Sequence, residues 1–218
     1  MSAKKSTKGS AAKAGTSLVL RVCGPTGESH GGFVWPLTIG AEVSAPDWID
    51  NAECGNGLHG FLYGEGNFTS ADHWKTAGAK WLVVEVVTTD LVILGDKCKF
   101  PRCIIRFVGS KSDAAAYLLE NESRAKPELV IGASIEVGEK GFAHTGPLGT
   151  ATAGYSGTAT AGDSGTATAG DSGELRIRWY DHKKNRYRTA IAYVGENDIK
   201  ENTPYRVNDY GEFVEVSA

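Results

Sequence analysis

Two patterns of hydrophobic and polar positions divide the chain. In the first half, short apolar runs are separated by turn-rich loops. Ser17 to Cys23 (SLVLRVC) alternates well enough for a strand. Trp81 to Val87 (WLVVEVV) is β-branched and nearly continuous, the mark of a central strand buried on both faces. Glu85 interrupts that run, where a carboxylate is expensive unless it is paired or faces an opening. Leu91 to Leu94 begins another strand, and Lys97 to Val108 (KCKFPRCIIRFV) gives one or two more with a break at Pro101. Phe68 to Gly78 (FTSADHWKTAG) predicts a helix capped by Thr69 or Ser70 and ended by Gly78. Ser112 to Glu122 predicts a second helix, with Ala115, Leu118 and Leu119 on its apolar side. This order reads as an α+β domain over residues 17–128.

The second pattern is a strict two-residue alternation. From Gly149 to Ser172 the chain reads GTATAGYS, GTATAGDS, GTATAGDS, three copies of one unit. Successive strand side chains point to opposite faces, so the threonines share one face and the alanines the other. Alanine suits a thin interior and threonine an outer face. The Gly-Tyr-Ser and Gly-Asp-Ser corners supply turn chemistry, with glycine tolerating positive φ. Gly138 and Gly146 extend the phase upstream to Ala133. A short strand, a tight corner and repetition predict a β-solenoid over residues 133–172. Glu174 to Tyr180 and Tyr187 to Val194 read as strands joined by the polar turn DHKKNR, followed by a last hairpin around Asp209, Tyr210 and Gly211. Residues 173–218 are thus expected to form a small antiparallel β cap. A thin alanine core gains by packing against further copies, so a homo-oligomer is expected.

Composition narrows the classes. A net charge of −3 over 218 residues argues against a dedicated nucleic-acid binder. No run of eighteen apolar residues occurs, so no membrane-spanning helix is expected. The opening MSAKKSTKGSAAKAG has positive charge and no apolar core, and residues 1–16 read as a flexible tail rather than a secretory signal. Four cysteines without a CxxC pair then imply reduced thiols and a cytoplasmic setting. The spacings of Cys54, His59, Cys98 and Cys103 fit no familiar zinc pattern. Neither a metal nor a cofactor is expected.

The segment Cys54-Gly55-Asn56-Gly57-Leu58-His59-Gly60-Phe61 is the best local candidate for a site, because its glycines bring polar groups close to a ligand. Aromatics for stacking and arginines for an anion complete a binding set: Trp35, Trp48, Asn56, His59, Tyr63, Trp74, Arg176, Arg178 and Arg188. No nucleophile, base and acid stand together in the sequence, so no catalytic residue is assigned.

The GTATAG units resemble those of phage and bacterial proteins labelled ice-nucleation-like, and the tail VGENDIK, PYRV and GEFVEV is similar to the usual ending of such chains. Ice nucleators carry far longer arrays. The CGNGLHG segment followed by WLVVEVV is similar to phage domains with a Gly-Leu-His loop and resembles the split-sheet fold of ADP-ribosyltransferases, in which His59, Tyr63 and Glu85 would hold NAD. These resemblances imply a non-catalytic phage accessory protein in the host cytoplasm that binds a small nucleotide-like ligand and sequesters an antiviral defence signal. The alternatives are an NAD-using enzyme and a structural or assembly component.

Overall fold

The computed structural model describes residues 15–216, and the chain divides into two compact units, Met1–Ala125 and Lys126–Ala218. The expected tail, residues 1–16, lies outside the described residues except for Gly15 and Thr16.

The first unit is a seven-stranded antiparallel sheet with one α-helix. Its strands are β1 (Thr16–Cys23), β2 (Glu42–Ser44), β3 (Leu58–Leu62), β4 (Lys80–Val87), β5 (Val92–Ile93), β6 (Cys98–Phe100) and β7 (Arg102–Gly109), in the order β2-β7-β4-β1-β3-β6-β5. The central pair is β1 and β4, matched residue for residue from Thr16–Val87 to Cys23–Lys80. Leu18, Leu20, Leu82, Val83 and Val84 are wholly buried there, as apolar runs without polar alternation require. Glu85 within β4 is neutralised by Arg106 on β7, Nη2 to Oε1 at 2.8 Å.

The helix α1 (Lys111–Asn121) is capped by Ser110, whose Oγ accepts from the Asp113 amide, and buries Ala114, Ala115 and Leu118. Its C-cap residue, Glu122, ties it to the sheet. The Glu122 carboxylate accepts from the Leu18 amide at 3.1 Å and from Arg124 Nε and Nη2 at 2.6 and 2.7 Å. Burial alone would raise the Glu122 pKa; the bonds from Arg124 and Leu18 outweigh it and hold the group below its ordinary value.

In the second unit the repeat strands alternate between two sheets. The strands β8 (Ser134–Val137), β10 (Thr150–Ala153) and β12 (Thr166–Ala169) are parallel neighbours in one sheet. Strands β9 (Phe142–His144), β11 (Thr158–Ala161) and β13 (Glu174–Asp181) are parallel neighbours in the other. Thr150 stands opposite Thr166 and Ala151 opposite Ala167, so a strand pairs with the one two units on. The inner faces meet through Ala143, Ala151, Ala153, Ala159, Ala161, Ala167 and Ala169, all buried, together with Leu175, Ile177 and Tyr205. Strand β14 (Arg186–Tyr193) adds antiparallel to β13, strand β15 (Tyr205–Val207) to β12, and β16 (Phe213–Glu215) to β15.

This architecture overturns the expected α+β domain, β-solenoid and separate β cap. The fold is β-rich, with three open sheets. The helix expected over Phe68–Gly78 is a single 3-10 turn, Phe68–Ser70, followed by bends, with His73 at φ +52°. That segment has no apolar stripe at helical spacing; Phe68 and Trp74 instead meet edge to face at 4.6 Å across the turn. The C-terminal strands form no cap of their own. They extend the repeat's two sheets and supply Leu175, Ile177 and Tyr205, the fully buried large side chains of a core whose other buried members are alanines, with Ile135, Val137 and Phe213 packed at its edge. The repeat corners also work differently from the expected turn. Ser156, Ser164 and Ser172 take the positive φ (51°, 57° and 56°), while the glycines allow close approach of stacked backbones. A Cβ on Gly162 would lie 2.5 Å from the Gly146 carbonyl carbon and 2.6 Å from Pro147 N.

Gly162→Ala should therefore destabilise the second unit by about 1–3 kcal/mol, the usual cost of overpacking against a backbone that cannot give. Chemical denaturation of the full chain measures it. Glu122 sets an acid limit on the first unit. A carboxylate whose pKa is depressed on folding contributes stability above its unfolded value of about 4.3, and that stability is lost as pH falls through the folded value. Glu122→Gln should cost about 1–3 kcal/mol at neutral pH, from leaving the Leu18 amide and Arg124 poorly paired. It should also shrink the loss of urea midpoint below about pH 4.3.

Candidate functional site

A cavity of about 600 Å³ opens in the first unit. This is within the size of small-molecule sites, about 300–1,000 Å³. One wall is the CGNGLHGF segment. Its glycine conformations serve a close approach: Gly57 has φ +118°, and a Cβ there would lie 2.9 Å from the Trp48 ring. Asp47 fixes the loop by accepting from the Gly57 amide at 3.0 Å and from Asn56 Nδ2 at 3.3 Å. The loop then enters β3, which carries His59 into the cavity wall.

The opposite wall is aromatic. Phe33 and Trp35 pack edge to face at 5.6 Å, and the Arg21 guanidinium lies 5.6 Å from the Trp35 ring centroid. Arg21 shares one side of β1 with Val19 and Cys23, which are both wholly buried. Its Nη1 donates to the His59 carbonyl at 3.3 Å, while its Nε is buried without a partner. The Nε2 of His59 is likewise buried and unpartnered. Burial is the largest cause that brings the His59 pKa down to about 4, assisted by the positive charges of Lys97, Arg21 and Lys99. His59 is therefore neutral through the physiological range. The Arg21 pKa is lowered too, again chiefly by burial.

Of the residues expected to bind a ligand, Trp35, Asn56 and His59 line this cavity. Trp48 lies beside it, against Gly57, and covers Lys99, whose Nζ is 5.4 Å from the indole centroid and donates to Asn51 Oδ1 at 2.6 Å. Tyr63 is stacked by Arg124 at 4.5 Å, and Trp74 packs on Phe68 with Lys75 over its ring at 4.5 Å. Arg176, Arg178 and Arg188 belong to the second unit. Arg176 is paired with Glu174 at 2.9 Å and Arg188 with Asp181 at 3.1 Å, while Arg178 stacks on Tyr187 at 4.1 Å. Sequence reading missed Arg21. The available signal was a charged residue inside an apolar strand, the same signal that singled out Glu85.

Chemically the cavity offers donors and apolar walls. Among the described residues no hydrogen bond joins His59 to Cys54, Ser29 or Ser70, the hydroxyl and thiol groups of the lining. Nor do three or more His, Cys, Asp or Glu side chains converge as metal ligands among those residues. Cys23, Cys98 and Cys103 are buried thiols pushed up to about 11, 12 and 12.

The second unit presents a different surface. Thr150, Thr152, Thr166 and Thr168 form a two-by-two block on one sheet, with Thr158 and Thr160 on the other. Thr150 is exposed and the rest partly so, except Thr166, which is buried and accepts at Oγ1 from Arg206 Nε at 3.1 Å.

The His59 imidazole resonances should titrate near 4, well below the ordinary value of about 6.5. In the window between those values the unfolded chain binds the proton and the folded chain does not, so stability falls as pH drops. NMR titration gives the midpoint, and His59→Leu should remove that part of the pH dependence.

Comparison with known proteins bears on the repeat. The chain is 39% identical over 109 residues to an ice nucleation protein of Pseudomonas fluorescens, covering 49% of this chain and 9% of that protein. It is 34% identical over 106 residues to one from Xanthomonas campestris pv. translucens (48% and 6%), and 35% over 104 residues to one from Pseudomonas syringae (47% and 9%). The chain thus spans less than a tenth of the length of these relatives. No protein-family model matches it, and no solved structure matches it. These findings overturn the reading as a phage anti-defence protein that sequesters a nucleotide-like signal, and they support neither the ADP-ribosyltransferase nor the structural alternative. Glu85 and Tyr63, offered for NAD, are engaged by Arg106 and Arg124 and do not line the cavity. Among the described residues no helix is long and apolar enough to cross a membrane. The repeats of this chain are ice-nucleation-like.

Proposed function

We propose that the second unit is a short ice-binding surface. The observation that carries this reading is the register of the repeat strands, which sets Thr152 beside Thr168 in a parallel ladder with exposed Thr150 in the same row as Thr152, while Thr166 at the corner of the block is covered by Arg206. Neighbouring strands lie about 4.8 Å apart, and alternate residues along a strand about 6.6 Å apart. Threonine at such positions offers a methyl and a hydroxyl in a fixed rotamer, so the spacing of both groups is preset before water arrives. Likeness to proteins named for ice nucleation supports the same function. The array is small and bordered by charge: Glu136 stands next to Thr152, and Glu174 and Arg176 stand next to Thr158 and Thr160. One chain would hold ice weakly, and copies assembled side by side would enlarge the surface, which is the use we assign to the expected homo-oligomer. The four free cysteines fit a reducing cytoplasmic setting.

Partition of the full chain into slowly growing polycrystalline ice tests the proposal. The wild type should be enriched several-fold over a non-binding control protein, and the freezing temperature of droplets should rise with protein concentration. Thr150→Lys with Thr168→Lys should abolish enrichment while leaving the circular dichroism spectrum unchanged. Exclusion of the wild type from ice to the level of the control would overturn the reading.

A further inference from the structure

We propose that the cavity of the first unit is a binding site for a small aromatic monocarboxylate. Arg21 is a half-buried cation placed between Val19 and Cys23 on a core-facing side of β1. Taking a guanidinium out of water is costly unless its donors are met. The core cation Lys99 has such compensation, from Asn51 and the Trp48 ring. Arg106 and Arg124 have carboxylates, and Arg106 keeps its carboxylate even though its own Nε is also buried without a partner. Arg21 has one carbonyl at 3.3 Å, a ring face and a buried Nε with no partner. Its Nε is desolvated without a partner, and the half-buried side chain borders a cavity large enough for a ligand.

The remaining groups define what that ligand is. Lys97 adds a second positive charge to the lining, and His59 brings another buried nitrogen without a partner. The acidic groups of the lining are already occupied: Asp47 accepts from the Gly57 amide and Asn56, and Asp72 stands 3.3 Å from His30. An anion is therefore the complement, held by a planar fork that suits a carboxylate. The body of the ligand is set by Phe33, Trp35 and Phe61, which offer aromatic walls to a flat apolar group. Arg21 and Lys97 carry two positive charges and Asp47 and Asp72 two negative ones, so the lining is formally neutral and a monoanion unbalances it less than a dianion would. Neutral His59 stands in the same lining without adding a charge for the ligand to balance.

The test uses the full chain with benzoate and indole-3-acetate as probes, benzamide as the neutral counterpart of benzoate, and phenyl phosphate as the dianion. Intrinsic tryptophan fluorescence and calorimetric titration read binding. At least one carboxylate should bind saturably, with benzamide and phenyl phosphate weaker by about tenfold or more, as expected when a charged hydrogen bond is lost or a charge is left unbalanced. Arg21→Met should lose binding by a similar factor. A folded Arg21→Met that binds benzoate as tightly as the wild type would overturn the proposal. Equal binding of benzamide and benzoate, preference for phenyl phosphate, or no saturable binding of either carboxylate by the wild type up to about 10 mM would also overturn it. These wild-type comparisons decide the matter even if the variant fails to fold.

Discussion

A core made of alanine holds two sheets together only if their backbones come close. Each buried methyl contributes roughly 0.8 kcal/mol, so seven alanines supply little of the stability that a leucine-filled interior would. What compensates is the ladder of main-chain hydrogen bonds between strands two units apart, and that ladder requires stacked corners without side chains. Gly162 against Gly146 is the clearest instance. The threonine surface follows from the same constraint. Once the interior alternates with alanine and the corners are fixed by glycine, the outward positions fall into straight rows, and their spacing is that of the backbone itself.

The first unit solves a different problem. Its sheet is filled with large side chains, and its charged groups are mostly met inside the unit: Glu85 by Arg106, and Glu122 by Arg124 and the Leu18 amide. Against that background two nitrogens of cavity-lining residues, Arg21 Nε and His59 Nε2, are buried without partners, as is Arg106 Nε. The lowered pKa of His59 has burial as its first cause, and burial is also what leaves the Arg21 Nε unmet. A residue that would be a defect in a purely structural sheet becomes intelligible when it borders an opening.

Much of this was legible in the sequence at the level of strands. The runs at β1 and β4, the break at Pro101, the helix after Ser110 and the repeat strands all follow from local pattern. Three features did not. The strand β3 was hidden because Gly55, Gly57 and Gly60 made its approach look like an extended loop. Gly60 in fact lies where a side chain would strike Val19 and the Leu20 carbonyl. The helix expected over Phe68–Gly78 rested on capping residues alone, and without an apolar stripe the segment folded into a turn closed by Phe68 and Trp74. For the binding set, aromatic and arginine content was visible, but pairing was not: Arg176 and Arg188 find carboxylates within two and seven residues along the chain. Arg21, embedded in an apolar run, was the cation to notice.

The two-unit register has a genetic corollary. Tandem eight-residue repeats are prone to gain or lose a copy when DNA is replicated. Loss or gain of one copy would transfer every later strand to the opposite sheet, and the segment carrying Leu175, Ile177 and Tyr205 would arrive on the wrong side of the alanine core. Loss or gain of two copies restores parity. The array can therefore change length smoothly only in even steps, and in such a lineage the number of units between the Ser134 strand and the Glu174 strand should stay odd or even together with the tail that closes it.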